Sequence, residues 1–138
     1  MSAGKGRPEA SRWLDYARED IETAEALERE GGISRHVCWL SQQGAEKALK
    51  SILVAESVDF PRTHDLDALR NLIPARWKIT AAFPDLAELS EWAVESRYPG
   101  NWPEATDQDS ASAVDQARDL LDCISSDMEQ HGFLQDGE

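Results

Sequence analysis

Gln42-Gln43-Gly44-Ala45-Glu46-Lys47-Ala48-Leu49-Lys50 is the stretch on which the fold turns, because its polar and small or apolar residues recur at helical spacing. At about 3.6 residues per turn, Gln43, Glu46, Lys47 and Lys50 fall close together, while Ala45, Ala48, Leu49 and Ile52 make an apolar stripe. Gly44 and Ala45 are small enough to let a neighbouring helix approach closely. A helix with two lysines, a glutamate and an amide beside its buried face carries either a functional polar seam or a solvated surface. Glu46 and Lys50 stand in the favourable i,i+4 order, which by itself explains them as a common surface device.

Outward from this segment the signals stay helical. Ser34 is placed to cap the same helix, which runs to about Val54 with Val37 and Leu40 extending its stripe. Upstream, Trp13, Ala17, Ile21 and Ala24 mark one face of a first helix that Gly31-Gly32 ends. Residues 1–10, rich in Gly, Ser and Pro, read as a flexible arm. Downstream, Phe60-Pro61 interrupts the pattern. Thr63 or Asp65 starts a short helix bearing Leu66, Leu69 and Leu72, and Pro74 stops it. Pro84 suits the first position of a fourth helix carrying Leu86, Leu89, Trp92 and Ala93. Two prolines and a glycine in Arg97-Tyr98-Pro99-Gly100-Asn101-Trp102-Pro103 make that segment a loop. Thr106 with Asp109 forms a variant capping box before a final helix marked by Val114, Ala117, Leu120, Leu121, Ile124 and Met128. The expected architecture is all-α: an antiparallel up-and-down bundle of four to five helices over residues 11–131, followed by a polar tail over 132–138.

Composition narrows the function. The 138 residues suit one domain. A formal net charge of −13 repels phosphate and acidic membrane surfaces, so DNA and membrane partners are not expected, and any nucleic-acid contact needs a locally basic patch. Cys38 and Cys123 fall in apolar helical patterns, without a CxxC or Cys/His cluster. A reduced, cytoplasmic setting and no disulfide follow as expectations. His36 and His64 lack a second ligand at metal spacing, and the acidic runs Glu19-Asp20-Glu22 and Asp107–Asp109 lack calcium-loop spacing, so neither metal nor cofactor is expected.

The order of Trp13 and Asp20, then His36 to Lys50, then Thr63-His64-Asp65-Leu66, then Arg97-Tyr98-Pro99 resembles the HEPN domain family over roughly Ser11 to Met128. The ordered set is fairly specific, although each piece alone is weak. The resemblance implies an up-and-down helical bundle, commonly dimeric and often paired with a minimal nucleotidyltransferase in toxin–antitoxin fashion. Some members are metal-independent RNA endonucleases; others bind nucleotides or only partner proteins. Catalytic members carry an arginine followed four to six residues later by a histidine. After Arg97 those positions and the one beyond hold Asn101, Trp102, Pro103 and Glu104, and the first histidine that follows is His131. A guanidinium can stabilise a phosphorane-like transition state, but the imidazole that would activate a ribose hydroxyl is missing.

Three readings therefore stand. The first is a homodimeric binding module that partners a minimal nucleotidyltransferase and presents Gln43, Glu46, Lys47, Lys50, Arg97 and Tyr98 to a nucleotide or RNA. The second is an unorthodox endoribonuclease in which Arg97 stabilises charge and His64 or Glu104 carries the proton. The third is a purely structural subunit. Five tryptophans are more than so small a core readily encloses, which places Trp39 and Trp102 at a subunit interface or pocket rim.

Overall fold

The computed structural model describes residues 2–93 and 103–133, with side chains from residue 8 onward. The described elements are helices: α1 (Ser2–Arg29), α2 (Ser34–Ala55), α3 (Leu66–Arg70), α4 (Ile79–Ala82), α5 (Ala87–Glu91) and α6 (Asp107–Gln130). The three long helices form the up-and-down bundle, with α1 packed along α2 and α6 closing against both. The three short ones cover the flank where α2 meets α6.

The apolar stripes read from the sequence are the core. Leu14, Ala17 and Ile21 of α1 meet Ala45, Ala48, Leu49 and Ile52 of α2 and Ala117, Leu121 and Ile124 of α6, all buried. At the crossing of α1 and α2, Gly44 lets the backbones come together. A Cβ there would sit 2.4 Å from Ile21 Cγ1 and 3.1 Å from the carbonyl oxygen of Ala17.

Each long helix ends in the same hydrogen-bonded device. At the end of α1, Gly31 N–H reaches Glu28 O (3.2 Å) and Gly32 N–H reaches Leu27 O (2.7 Å), with Gly31 at φ +73°. At the end of α6, Gly132 (φ +80°) and Phe133 bond to Glu129 O and Met128 O in the same way. These are Schellman caps, which satisfy otherwise orphaned carbonyls and favour glycine at the left-handed position. The end of α2 repeats the pattern through Ser57 and Val58, but with Ser57, a residue with a Cβ, at φ +56°.

Several elements depart from the sequence expectation. Residues 2–10, expected as a flexible arm, continue α1, with Pro8 inside the helix. Burial of Ala10 and Leu14 anchors the helix, and adding turns to an existing helix is far easier than starting one. The residue before α2 is Ile33, which makes no side-chain cap; Ser34 Oγ instead donates to Asp107 Oδ1 at the start of α6 (3.0 Å). Asp65, one of the two expected starts, caps α3 by accepting from Asp67 N and Ala68 N. The fourth expected helix begins at Ala87 rather than Pro84; the N–H groups at its start are taken by side chains, Leu86 N–H by Asp67 Oδ1 of α3 at 2.8 Å and Ala87 N–H by Asp85 Oδ1 at 3.0 Å.

The turn α4 has no counterpart in the sequence expectation. Ile79 N–H, at its start, donates to the buried Asp127 Oδ2 of α6 at 3.1 Å, a partner supplied from 48 residues away. The boundary at 131 also moves outward. Phe133 packs on the core and stacks with Trp77, which stacks in turn on His131 with centroids 4.0 Å apart. The Thr106–Asp109 capping box is formed in both directions. Ion pairs tie the bundle together further: Arg118 of α6 grips both carboxylate oxygens of Glu25 in α1, at 2.7 and 2.9 Å.

Two substitutions test these constraints. Gly44→Ala gains helix propensity of about 1 kcal/mol, but overpacking against Ile21 and the Ala17 carbonyl costs about 1–3 kcal/mol. Urea unfolding should therefore show a net loss of about 1 kcal/mol, and in an Ile21→Ala background, where the Ile21 clash is gone, Gly44→Ala should cost less or nothing. Ser57→Gly relieves the left-handed strain at the end of α2 and should raise stability by about 0.5–1 kcal/mol. An unchanged or lower unfolding midpoint for Ser57→Gly would contradict that account.

Candidate functional site

The polar seam of α2 sorts itself differently from the helical-wheel expectation. One line runs Gln42, Glu46, Lys50, spaced i, i+4, i+8, and all three side chains are turned toward the loop before α3. Lys47 turns the other way, toward α1, and pairs with Asp20 at 2.7 Å.

Glu46 is the hub. Its carboxylate is 7% exposed and receives three side chains: Lys50 Nζ at 2.7 Å on Oε2, and His64 Nδ1 at 2.8 Å and Gln42 Nε2 at 3.3 Å on Oε1. Gln42 is fully buried; its amide nitrogen also donates to the carbonyl of His64 (2.9 Å), and its oxygen accepts from Gln43 Nε2 (2.7 Å). The loop carrying His64 is thereby fastened to α2 through both its backbone and its ring. Burial pushes the Glu46 carboxyl up. The hydrogen bonds from Lys50 and His64, the Lys50 charge and the Gln42 amide outweigh burial and hold it below the usual glutamate range.

Lys50 is equally enclosed. Its ammonium, on a side chain 14% exposed, lies 5.8 Å from the centroid of Trp13 and 5.5 Å from that of Phe60, so two rings and one carboxylate surround the charge. The pair is a near-buried ion pair rather than the surface device its spacing allows.

Because an ionised carboxylate only accepts, Nδ1 of His64 carries the proton shared with Glu46, and Nε2 is left as the outward atom. The His64 side chain is 50% exposed, and Nε2 has no protein partner among the described residues. A buried carboxylate that fixes the tautomer and orientation of an exposed imidazole is an arrangement capable of carrying a proton.

Of the other expected site residues, Glu104 is exposed two residues before the Thr106 cap and makes no hydrogen bond or ion pair among the described residues. Arg97 and Tyr98 lie outside the described residues, as does Trp102. Trp39 is half-buried, and its Nε1 is sequestered with no hydrogen-bond partner among the described residues. The helical wheel selects Gln43 where the structure uses Gln42. The i,i+4 relation of Gln42 to Glu46 was the available signal, but only the loop that covers it turns a helix-surface amide into a buried one.

Cys38 is buried, and burial pushes its thiol up to about 12, the behaviour of a small hydrophobe rather than a nucleophile. Among the described residues no three His, Cys, Asp or Glu side chains are grouped to hold a metal ion, and no helix is long and apolar enough to cross a membrane.

A groove of about 450 Å³ opens between α1 and α2 beside this seam, lined by Glu9, Arg12, Trp13, Tyr16 and Lys47. Trp13 thus separates two environments, with Lys50 over its ring inside and the groove outside.

This geometry, three long helices with a short-helix flank fastened by a buried glutamate, defines an up-and-down bundle of the HEPN type. The HEPN domain profile matches residues 10–127, and the chain belongs to that family. The crystal structure of TT1696 from Thermus thermophilus is similar, with TM-score 0.71 and 24% identity over 86% of this chain and 97% of that one. ST0689, an archaeal HEPN homologue, is similar with TM-score 0.63 and 26% identity, covering 85% of this chain and 95% of the other. No curated protein matches the sequence.

The Glu46 hub has a pH signature. A depressed carboxyl contributes stability that is fully present above the ordinary glutamate value, about 4.3, and is lost as pH falls through its lower value in the folded protein. Glu46→Gln should therefore flatten the acid limb of a stability-against-pH curve measured by urea unfolding. Glu46→Ala at pH 7 leaves the Lys50 ammonium enclosed and unpaired, and should lose about 3 kcal/mol. A loss below about 0.5 kcal/mol would show that the pair behaves as an ordinary surface contact.

Proposed function

We propose that this chain is a non-catalytic HEPN-type binding module, a homodimer that works beside a minimal nucleotidyltransferase in a toxin–antitoxin pair. The observation that carries this reading is the closure of the polar seam. Lys50 is held by Glu46 and Lys47 by Asp20, each at 2.7 Å, so the cations best placed to take a phosphate are already neutralised within the chain. A nucleotide phosphate must displace a carboxylate from a near-buried lysine to bind there, whereas a protein partner needs only the surface the seam makes rigid. That comparison favours a protein over a nucleotide as the principal ligand. The net charge of −13 acts in the same direction against RNA, whose backbone adds like charge along its length.

One observation favours a second reading, the metal-independent endoribonuclease: His64 is half-exposed, oriented by Glu46, and its Nε2 has no partner among the described residues. In that reading His64 replaces the histidine absent after Arg97.

Both are tested by one set of assays. The purified protein is titrated by calorimetry with a nucleotide panel, short RNA and a purified minimal nucleotidyltransferase, and the RNA is then incubated and analysed for cleavage. The expected outcome is saturable binding of the protein partner, with nucleotide binding weaker or undetected and intact RNA. Cleavage that is lost in His64→Gln and Arg97→Ala would establish the endoribonuclease instead. Saturable nucleotide binding lost in Lys50→Ala would show that the seam opens to a phosphate.

A further inference from the structure

His64 is the point at which the closed seam still offers chemistry to the outside. Glu46, 7% exposed, holds Nδ1 at 2.8 Å, and Gln42 holds the His64 carbonyl at 2.9 Å, so the residue is fixed through ring and backbone and Nε2 carries its lone pair on the far side of the ring. Glu46 is fixed in turn by Lys50 at 2.7 Å and by Gln42 at 3.3 Å. A nucleophile, a group that orients it and a third group that orients the second make the pattern of an activated covalent site. The other two histidines lack it. His36 is exposed and its ring has no partner among the described residues, and His131 is stacked on Trp77.

The carboxylate behind the ring selects the chemistry. When Nε2 bonds to an electrophile, Nδ1 keeps its proton and the ring becomes cationic. Glu46 lies against that developing charge and stabilises it. No proton leaves His64 in such a step, so the site suits a group carried on a nitrogen that departs neutral, as a phosphoryl group on a phosphoramidate does. The charge of the chain narrows the donor further. With 27 acidic against 14 basic side chains it repels a nucleoside triphosphate far more than a small phosphoramidate. Arg62, exposed and without an ion pair among the described residues, is the cation of the same loop, two residues before His64.

We propose that His64 is a phosphoryl-acceptor site, in which Nε2 takes the phosphoryl group of a donor with a labile P–N bond and Glu46 is the positioning residue behind the ring. The Nε2 lone pair attacks phosphorus and the Nε2–P bond forms. The donor's P–N bond breaks, its electron pair leaves on the already protonated donor nitrogen, and a neutral amine departs. The positive charge that the donor nitrogen gives up appears on the imidazole ring, beside the Glu46 carboxylate. The closed seam does not oppose this transfer, because a covalent bond takes the place of the cations that Glu46 and Asp20 occupy. The acceptor role goes beyond the binding-module reading and stands without it.

The test is incubation of the purified chain with phosphoramidate near neutral pH, followed by phosphorus NMR and mass spectrometry of the peptides that contain the three histidines. His64 should gain the phosphoryl group at Nε2 and react about tenfold faster than His36. In the chain unfolded by urea, where the Glu46 contact is gone, the two should react at the same rate. Glu46→Gln keeps an oxygen for the Nδ1 proton but removes the charge, and should slow His64 about tenfold with helical content unchanged by circular dichroism. His64→Gln should lose that label and no other. Equal rates at His64 and His36 in the folded chain, or a label at Nδ1, would overturn the proposal. A folded Glu46→Gln variant that reacts at the full rate would overturn the role given to Glu46. If that variant does not fold, the comparison of folded with urea-unfolded chain decides by itself.

Discussion

The approach of α1 to α2 at Gly44 is the constraint from which most of this structure follows. The absent side chain lets Ile21 and the Ala17 backbone fill the space a Cβ would need. Once the helices are that close, residues one and two turns along each are brought within bonding range. Asp20 reaches Lys47, and Trp13 lies over Lys50. A wider crossing would take Asp20 away from Lys47 and Trp13 away from Lys50, leaving Lys50 only its Glu46 and Phe60 contacts from α2 and the loop that follows. Steric permission at one position thus decides the charge state of the surface around it.

Glu46 shows what such enclosure does to a charge. Taking a carboxylate out of water is unfavourable unless enough donors replace the water, and here an ammonium, an imidazole and an amide do so. The three donors come from α2 itself and from the loop before α3, so the satisfied carboxylate also fixes where that loop lies. The short-helix flank is held by further contacts of the same type: Asp67 caps the backbone at Leu86, Asp127 takes the Ile79 N–H, and Glu56 accepts from Arg76 and from Trp77 Nε1. Acidic side chains used as acceptors for backbone and ring N–H groups explain part of why an acidic chain can fold so compactly. Specific donors take the place of water around most of these carboxylate oxygens; Asp127 Oδ1, buried without a partner among the described residues, is an exception.

In functional terms the contrast lies between the closed seam and the open groove. The seam is internally complete apart from the outward nitrogen of His64, and it behaves as a rigid support. Among the described residues, Glu9 and Arg12 of the groove beside it make no ion pair, and Trp13 and Tyr16 stack on no other aromatic ring.

The sequence by itself determined the three long helices, their core faces, the capping box at Thr106 and the family, because each is a local or periodic property: apolar residues at helical spacing, a side chain bonding three residues away, glycines where the backbone turns left-handed. It also marked Glu46, Lys47 and Lys50, with Gln43, as a polar seam and, separately, His64 as a candidate proton carrier. Only the tertiary structure decided what those residues do. Whether Gln42 or Gln43 is the buried amide, whether Lys50 meets solvent or two aromatic rings, and whether Ile79 can begin a helix all depend on atoms many residues distant, in the covering loop, in α1 and in α6. Burial and the supply of hydrogen-bond partners are properties of neighbours in space, and helical periodicity reports which side of a helix a residue occupies but not what lies against it.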